Sequence, residues 1–157
     1  MTAAPALSTE CIFCDACASR NVELVLLRGQ HSFVILNLYP YNSGHLMVVP
    51  NRHLGALEAL TPEEQAELMR LARLSEMALT EAYHPHGINV GINLGKAAGA
   101  GIENHLHIHF VPRWSGDTNF MTAVGETRVL PEELGAAAAR LRPVFERLAH
   151  EGGALRT

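Results

Sequence analysis

The sequence predicts an α+β fold with an antiparallel sheet of about five strands, one long central helix and a C-terminal helix. Three short apolar runs, at 22–28, 32–38 and 45–49, are separated by turn residues, and such spacings are typical of antiparallel hairpins. Two longer stretches carry apolar residues at helical spacing. Runs of strands with helices packed on one side are typical of the α+β class.

The central helix has clear start and stop signals. Thr61 is a good N-cap, Pro62 suits the first helical position, and Glu63 and Glu64 complement the positive end of the helix dipole. The buried stripe then continues through Leu68, Leu71, Leu74, Met77 and Ala78. The helix should end before 84–87, where the sequence His-Pro-His-Gly stops it.

The second half of the chain predicts two more strands and the last helix. A strand at 88–94 leads through a glycine-rich loop at 95–101 into a strand that begins at His105. The last helix is expected over 131–148. No repeat or linker divides the chain, so we expect one domain over 1–157 with a flexible tail at 1–10.

Composition excludes several classes of protein. The chain has 157 residues, 48% of them hydrophobic, and no apolar run long enough to cross a bilayer. Its formal net charge is -4 without a basic cluster, which argues against a nucleic-acid partner. We therefore expect no membrane association, and three cysteines without a secretory signal favour a cytoplasmic protein.

The segment 105–110, His-Leu-His-Ile-His-Phe, is the strongest functional signal in the chain. Because side chains alternate along a strand, His105, His107 and His109 should share one face while the apolar residues pack on the other. A strand that needed only a polar face would use Thr, Lys or Ser. Imidazoles in this pattern indicate nucleophilic attack, proton transfer or metal binding.

Distance divides the three histidines between different roles. With a rise of about 3.3 Å per residue, neighbours in the set lie roughly 6.6 Å apart and the outer two about 13 Å apart. One metal ion binds nitrogen at about 2 Å, so it cannot take all three from one strand.

A metal site is indicated near the N-terminus. Cys11 and Cys14 have the spacing of a zinc-binding pair, and His53 and His105 are the best candidates to complete a tetrahedral site. A redox Cys-x-x-Cys is the alternative, although the tail before Cys11 does not look like the buried strand that usually precedes one. Cys17 is an ordinary small side chain or a substitute ligand.

The order of these motifs resembles the histidine triad (HIT) family. The segments that carry the resemblance are CIFC at 11–14, NLYPYNSGHLMVVP at 37–50, RH at 52–53, NLG at 93–95 and HLHIHFVPRW at 105–114. The segments NLYPYNSGHLMVVP at 37–50 and PRWSGDTNFM at 112–121 are most similar to a bacterial branch that includes diadenosine tetraphosphate phosphorylase and lies near the fragile-histidine-triad hydrolases. The resemblance implies a HIT-like fold and a homodimer with one continuous sheet, and it leaves tetramers open.

The resemblance also implies a mechanism. His107 would attack the α-phosphorus of a dinucleoside polyphosphate and form a nucleotidyl-histidine, while His109 and His45 polarise phosphoryl oxygens. His105 would be shared with a structural Zn²⁺, and the chemistry itself would need no cofactor. A nucleoside phosphoramidase and a non-catalytic nucleotide-binding module are the alternative functions.

Substrate contacts follow from the same resemblance. Asn37 would contact the ribose, Ile12 and Phe13 would flank the base, and Asn93 would bind a phosphate oxygen. Each has a simpler alternative, since Phe13 can pack in the core and Asn93 can form a turn. Trp114 is a candidate contact for the distal phosphates or second nucleoside, although a Trp at a strand end is also a common surface residue.

One segment departs from the family pattern. Gly99 and Gly101 stand where related hydrolases usually have a Gly-Gln-Ser or Gly-Gln-Thr. Backbone N–H groups of this loop can replace the missing side-chain donors to phosphate. Whether water or inorganic phosphate is the acceptor stays open at this point.

Overall fold

The computed structural model describes residues 11–19, 23–102, 104–117 and 131–152. The elements are α1 Ile12–Ala18, β1 Val25–Arg28, β2 Ser32–Leu36, β3 Leu46–Pro50, α2 Pro62–Tyr83, β4 Gly87–Ile92, β5 Ile108–Arg113 and α3 Leu134–Glu151. Two short 3₁₀ turns lie at Leu57–Ala59 and Lys96–Ala98. The predicted tail at 1–10 lies outside the described residues.

The five strands form one antiparallel sheet in the order β1-β2-β3-β5-β4. The register places Ile35 opposite Met47, Met47 opposite His109, and His109 opposite Gly91. These residues therefore form one row across a single face of the sheet. The predicted α+β architecture is confirmed.

The two faces of the sheet are covered differently. Alternate residues such as Val34, Val48 and Phe110 join α2 and α3 in the main core. On the opposite face a smaller cluster joins β1, β2 and β3 to Phe13 and Ala16 of α1. Because α1 covers only this part, the β5 and β4 side of the same face is left open as a cleft.

The long helix begins as predicted. Thr61 and Glu64 form a capping box, in which each side chain accepts a hydrogen bond from the other residue's backbone N–H. Arg52 donates two hydrogen bonds to the Glu64 carboxylate, at 2.7 and 2.8 Å. This ion pair ties the segment that carries His53 to the start of the helix.

Two features differ from the sequence-based expectation. The segment 11–17 was expected only as a zinc-binding stretch, yet it forms α1. The strand was expected to start at His105, yet β5 begins at Ile108, because the Leu106 N–H donates to the Leu54 carbonyl instead of a strand partner.

Other boundaries shift by one to three residues. The last helix covers Leu134–Glu151 rather than 131–148, with the Glu133 carboxylate capping its first N–H groups. Neither long helix of the described ranges has an apolar stretch sufficient to cross a membrane.

Candidate active site and metal cluster

The orientation of His107 leaves one ring nitrogen available for attack. Its Nδ1 lies 2.8 Å from the backbone carbonyl oxygen of His105. A carbonyl oxygen only accepts, so Nδ1 carries the proton and the Nε2 of the neutral ring keeps its lone pair. The His107 ring also contacts the rings of Phe13, at 5.0 Å between centroids, and His109, at 4.8 Å. A neutral ring with a free lone pair on Nε2 is the state that a nucleophilic imidazole requires.

A second chain of hydrogen bonds fixes the protons of His45 and His109. The Tyr41 N–H lies 3.1 Å from His45 Nδ1, so this nitrogen must accept. The proton of neutral His45 is then on Nε2, which lies 2.9 Å from His109 Nδ1. His109 accepts there and carries its own proton on Nε2. The chain therefore leaves His109 Nε2–H as a donor for a substrate oxygen.

Both rings of this pair are held in the neutral form. Burial, and then the charges of His109 and His107, lower the pKa of His45 from 6.5 to about 4. Burial and the neighbouring His107 also lower the pKa of His109. At neutral pH the pair therefore offers a substrate a hydrogen-bond donor rather than a fixed positive charge.

The turn before His45 is supported by Tyr83, at the end of α2, and by Glu132, which lies just before α3. Gly44 has a φ of +81°, and a Cβ there would lie 2.9 Å from Cε2 of Tyr83, so a larger residue is strained for two reasons. The Tyr83 hydroxyl donates to Glu132 at 2.6 Å, and the Glu132 N–H donates to the Ser43 hydroxyl at 2.8 Å. His45 is thus presented on a fixed turn.

Beside His107, the predicted metal ligands come together. Cys11 Sγ lies 3.2 Å from His105 Nδ1, and Cys14 Sγ lies 3.2 Å from His53 Nδ1 and 3.6 Å from His105 Nδ1. All four candidate ligand atoms lie within 4.8 Å of one another.

The three sulfur–nitrogen distances are close to those of a tetrahedral zinc site. With Zn–S near 2.3 Å and Zn–N near 2.05 Å, tetrahedral angles place ligand atoms about 3.3 to 3.8 Å apart. His105 Nε2 lies 2.8 Å from the Pro50 carbonyl oxygen, so it carries the proton and leaves Nδ1 to face the thiols. Burial and the neighbouring Cys11 raise the pKa of Cys14 to about 11, an unfavourable setting for thiolates that a bound cation relieves.

Helix α1 is held at both of its ends. At its C-terminal end the Arg28 guanidinium donates to the carbonyl oxygens of Ala16, Cys17 and Ser19, groups that otherwise lack partners in a short helix. Phe13, which is 1% exposed, packs in the core on the opposite side. The helix thereby holds Cys11 and Cys14 against the sheet, while Cys17 is not among the four clustered ligand atoms.

The open cleft lies along β4 and β5 on the same face as His109. Its volume is about 520 Å³, within the range of small-molecule sites. Gly91, directly opposite His109 in the register, has no side chain and leaves room there. The lining residues are Tyr41, Asn42, Asn89, Val90, Gly91, Asn93, His109, Val111, Arg113 and Asp117.

The structure brings some of the predicted substrate contacts to the cleft. Asn93 lines it beside His109. Asn37 lies next to His45, with its Nδ2 3.3 Å from His45 Nε2 and its Oδ1 accepting from the Tyr39 N–H.

The other predicted substrate contacts are not among the residues that line the cleft. Ile12 is 58% exposed on α1, whereas Phe13 is buried, which favours the packing alternative for Phe13. The Gly99 N–H already donates to the Lys96 carbonyl within its turn, while the Gly101 N–H has no acceptor among the described residues. Trp114 packs edge-on against Tyr83 of α2, outside the cleft lining.

Sequence reasoning missed three polar residues and one aromatic residue of the cleft lining, namely Asn42, Asn89, Asp117 and Tyr41. Asp117 accepts bidentate hydrogen bonds from Arg113 and one from Asn42, and Tyr41 presents an exposed ring beside His45. The NLYPYNSGH segment contained Tyr41, but only its position in space separates it from Tyr39.

The chain belongs to the HIT domain family, whose model matches residues 19–116. It is 34% identical over 122 residues to the bis(5'-adenosyl)-triphosphatase of Dictyostelium discoideum, covering 73% of this chain and 80% of that relative. Among solved structures, a Zn-bound histidine triad family protein from Mycobacterium smegmatis superimposes with a TM-score of 0.71 at 25% identity, covering 90% of this chain and 97% of that one.

A more similar relative is longer. The chain is 50% identical over 111 residues to an AP-4-A phosphorylase of Mycobacterium tuberculosis, which covers 71% of this chain. The match spans only 57% of that relative's length.

Proposed function

We propose that this protein cleaves dinucleoside polyphosphates of the diadenosine tetraphosphate type through a nucleotidyl-histidine at His107. The observation that carries the proposal is the proton arrangement of the histidines. His107 offers a lone pair at Nε2, and the His45–His109 pair directs an N–H donor towards the cleft. The 50% identity to an AP-4-A phosphorylase supports the substrate class.

The proposed reaction consists of two displacements at the same phosphorus. His107 Nε2 attacks the α-phosphorus, an N–P bond forms, and the P–O bond to the rest of the polyphosphate breaks. From diadenosine tetraphosphate the leaving group is ATP. An acceptor oxygen then attacks the same phosphorus, the N–P bond breaks, and His107 is restored. His109 Nε2–H and the Asn93 amide stabilise charge on the phosphoryl oxygens.

We further propose inorganic phosphate as the acceptor. Gly99 and Gly101 carry no side chains in the loop that precedes the three histidines, and a Cβ at either would have no neighbour within 4 Å. The Gly101 N–H offers one backbone donor to an anion. This room suits a phosphate acceptor better than a site filled by side-chain donors.

Product analysis tests both statements. Wild-type protein is given diadenosine tetraphosphate with and without millimolar phosphate, and nucleotides are separated by chromatography. Phosphorolysis gives ADP plus ATP, whereas hydrolysis gives AMP plus ATP. Dominant AMP at millimolar phosphate contradicts the phosphate acceptor, and an intact substrate under both conditions contradicts the proposed function.

The same panel separates the alternative functions. Adenosine phosphoramidate tests the phosphoramidase, whose leaving amine needs a proton that a neutral His109 is poorly suited to supply. Polyphosphate anions depart without one. Tight nucleotide binding with no turnover of either substrate would indicate the non-catalytic module.

The cysteine-histidine cluster is proposed to hold one structural Zn²⁺. Cys11, Cys14, His53 and His105 supply two thiolates and two imidazoles, the donor set of many structural zinc sites. When bound, the ion cross-links α1 to two segments far away in the chain. The need for reduced thiols fits a cytoplasmic location.

A homodimer is proposed through the outer edge of β4. This strand is at the end of the sheet, and Val90 is 56% exposed although its neighbours Ile88 and Ile92 pack on the core. An exposed edge with an apolar side chain favours pairing with a second copy. Light scattering should give a dimer mass that Val90→Asp lowers to the monomer, and a doubled mass would indicate a tetramer.

A further inference from the structure

We propose that Tyr41 is a stacking platform for the base of the departing nucleotide, so that the cleft beyond His109 is the subsite of the second nucleoside. This inference rests on the proposed function and deepens it. Tyr41 is 76% exposed and lines the cleft, so its ring is accessible to a bound ligand. Its ring lies 4.8 Å from that of His45 and is nearly parallel to that of His109, at 20° and 6.5 Å between centroids.

The loop that carries Tyr41 is fixed from several sides. The Tyr41 N–H is bound to His45, and the preceding Pro40 restricts the backbone. The next residue, Asn42, donates from its amide to the Pro112 carbonyl at 3.1 Å and to Asp117 at 2.9 Å. The ring is therefore presented in advance, which lowers the entropy cost of binding a ligand.

The charge at the far end of the cleft favours a neutral base over a phosphate as the ligand. Arg113 is the cation of the cleft lining, but it forms an ion pair with Asp117 at 2.9 Å and donates to the side-chain Oδ1 of Asn89 at 2.9 Å. The far end is thus nearly neutral and rich in amide and guanidinium groups. A polyanion gains little there, whereas a neutral planar base gains stacking and hydrogen bonds at its edge.

The position of the far end of the cleft relative to His107 and His109 fits this assignment. His109 lies between His107 and the far end of the cleft, because β5 continues from His109 through Val111 to Arg113 on one face. Phosphates bound at His109 and Asn93 lead away from His107 towards Tyr41. The nucleoside at that end is the one that leaves with the polyphosphate.

Two substrates that differ only in the second nucleoside test the assignment. Diadenosine tetraphosphate has a leaving group with a base, and adenosine 5'-tetraphosphate has a leaving group without one. Tyr41→Ala should lower kcat/KM for the first by about 10- to 100-fold and leave the second within about threefold. Tyr41→Phe keeps the ring and should stay within about twofold on both.

Tyr39 provides a matched control on the same loop. It is 80% exposed but does not line the cleft, so Tyr39→Ala should change neither substrate. An equal loss on both substrates in Tyr41→Ala would mean that the ring only supports His45, and it overturns the inference. An unchanged kcat/KM for both substrates in Tyr41→Ala also overturns the inference. If the wild type cleaves neither substrate, the proposed function itself is wrong.

Discussion

His105 and His109, the two outer histidines of the segment 105–109, differ in burial, neighbours and chemistry although the residue type is the same. At one end His105 is fully buried between Pro50 and two thiols, and its ring is shielded by α1. At the other end His109 faces an open cleft and is joined to His45. His107 lies between them and contacts both Phe13 and His109.

This difference shows that the partner of Nδ1 decides what each imidazole does. For His105, Nδ1 faces sulfur and suits a metal. For His107 it donates to a carbonyl and frees Nε2, and for His109 it accepts from His45 and leaves Nε2–H as a donor. In the proposed mechanism His105, His107 and His109 therefore act as a metal ligand, a nucleophile and a hydrogen-bond donor, respectively.

Replacing the nucleophile should give the largest effect. His107→Ala should lower kcat by at least about 10⁴-fold, because it removes the atom that forms the covalent bond. Nucleotide binding, measured by equilibrium dialysis, should change little, since Asn93, His109 and the cleft remain. Wild-type protein quenched at high pH with labelled substrate should carry the label on His107. Near-normal turnover, or a label on another residue, would rule out this mechanism.

Loss of the metal at the buried end should affect stability more than chemistry. Cys14→Ser should reduce zinc from about one ion per chain to near zero by elemental analysis and lower the melting temperature by about 10 °C. The kcat should fall less than tenfold. Cys17→Ser is the control and should keep both the zinc and the stability. Zinc-free wild-type protein from zinc-replete medium would contradict the site.

Changes at the open end should have an intermediate effect on catalysis. His45→Gln and His109→Gln should each lower kcat by about 10²-fold, since they remove polarisation but leave the nucleophile in place. Their combination should cost much less than the product of the two, because the residues act through one hydrogen bond. Steady-state kinetics of the double variant checks this. Full additivity would show that they act separately.

The neutral state of His45 should make the free energy of unfolding depend on pH, and this is the smallest of the expected effects. Its pKa is lowered from 6.5 to about 4, so the unfolded chain takes up its proton first as pH falls. The stabilisation is complete above about pH 6.5 and is lost progressively towards pH 4. Between pH 7 and 5.5 the wild type should lose about 1 kcal/mol more than His45→Gln in chemical unfolding. Parallel pH curves would contradict the buried neutral ring.

The features that depend on residues close together in the sequence were predicted correctly from local sequence signals. The capping box of Thr61 and Glu64 marks the start of α2 and is formed as expected. The alternation at 105–110 predicted correctly that Leu106 and Phe110 face the main core. The spacing of Cys11 and Cys14, with His53 and His105, selected the four residues that the fold brings together.

Features that depend on distant contacts were not accessible in this way. The seven residues of α1 are too few for a stable isolated helix, and they are held by Arg28 and by packing on β2 and β3. The late start of β5 depends on Leu54, a residue 52 positions earlier than Leu106. Trp114 was the aromatic candidate from the sequence, but Tyr41 lines the cleft and Trp114 does not, because neither spacing nor composition shows which ring faces it.

The proton positions of His45, His105 and His107 are set by main-chain atoms, and this makes them robust to mutation. The Tyr41 N–H defines His45, the His105 carbonyl defines His107, and the Pro50 carbonyl defines His105. Ordinary side-chain substitutions at these partner positions leave the hydrogen-bonding groups in place, and only a proline at position 41 would delete one. Neighbouring residues can therefore diverge while the tautomers persist, as long as the backbone path is inherited.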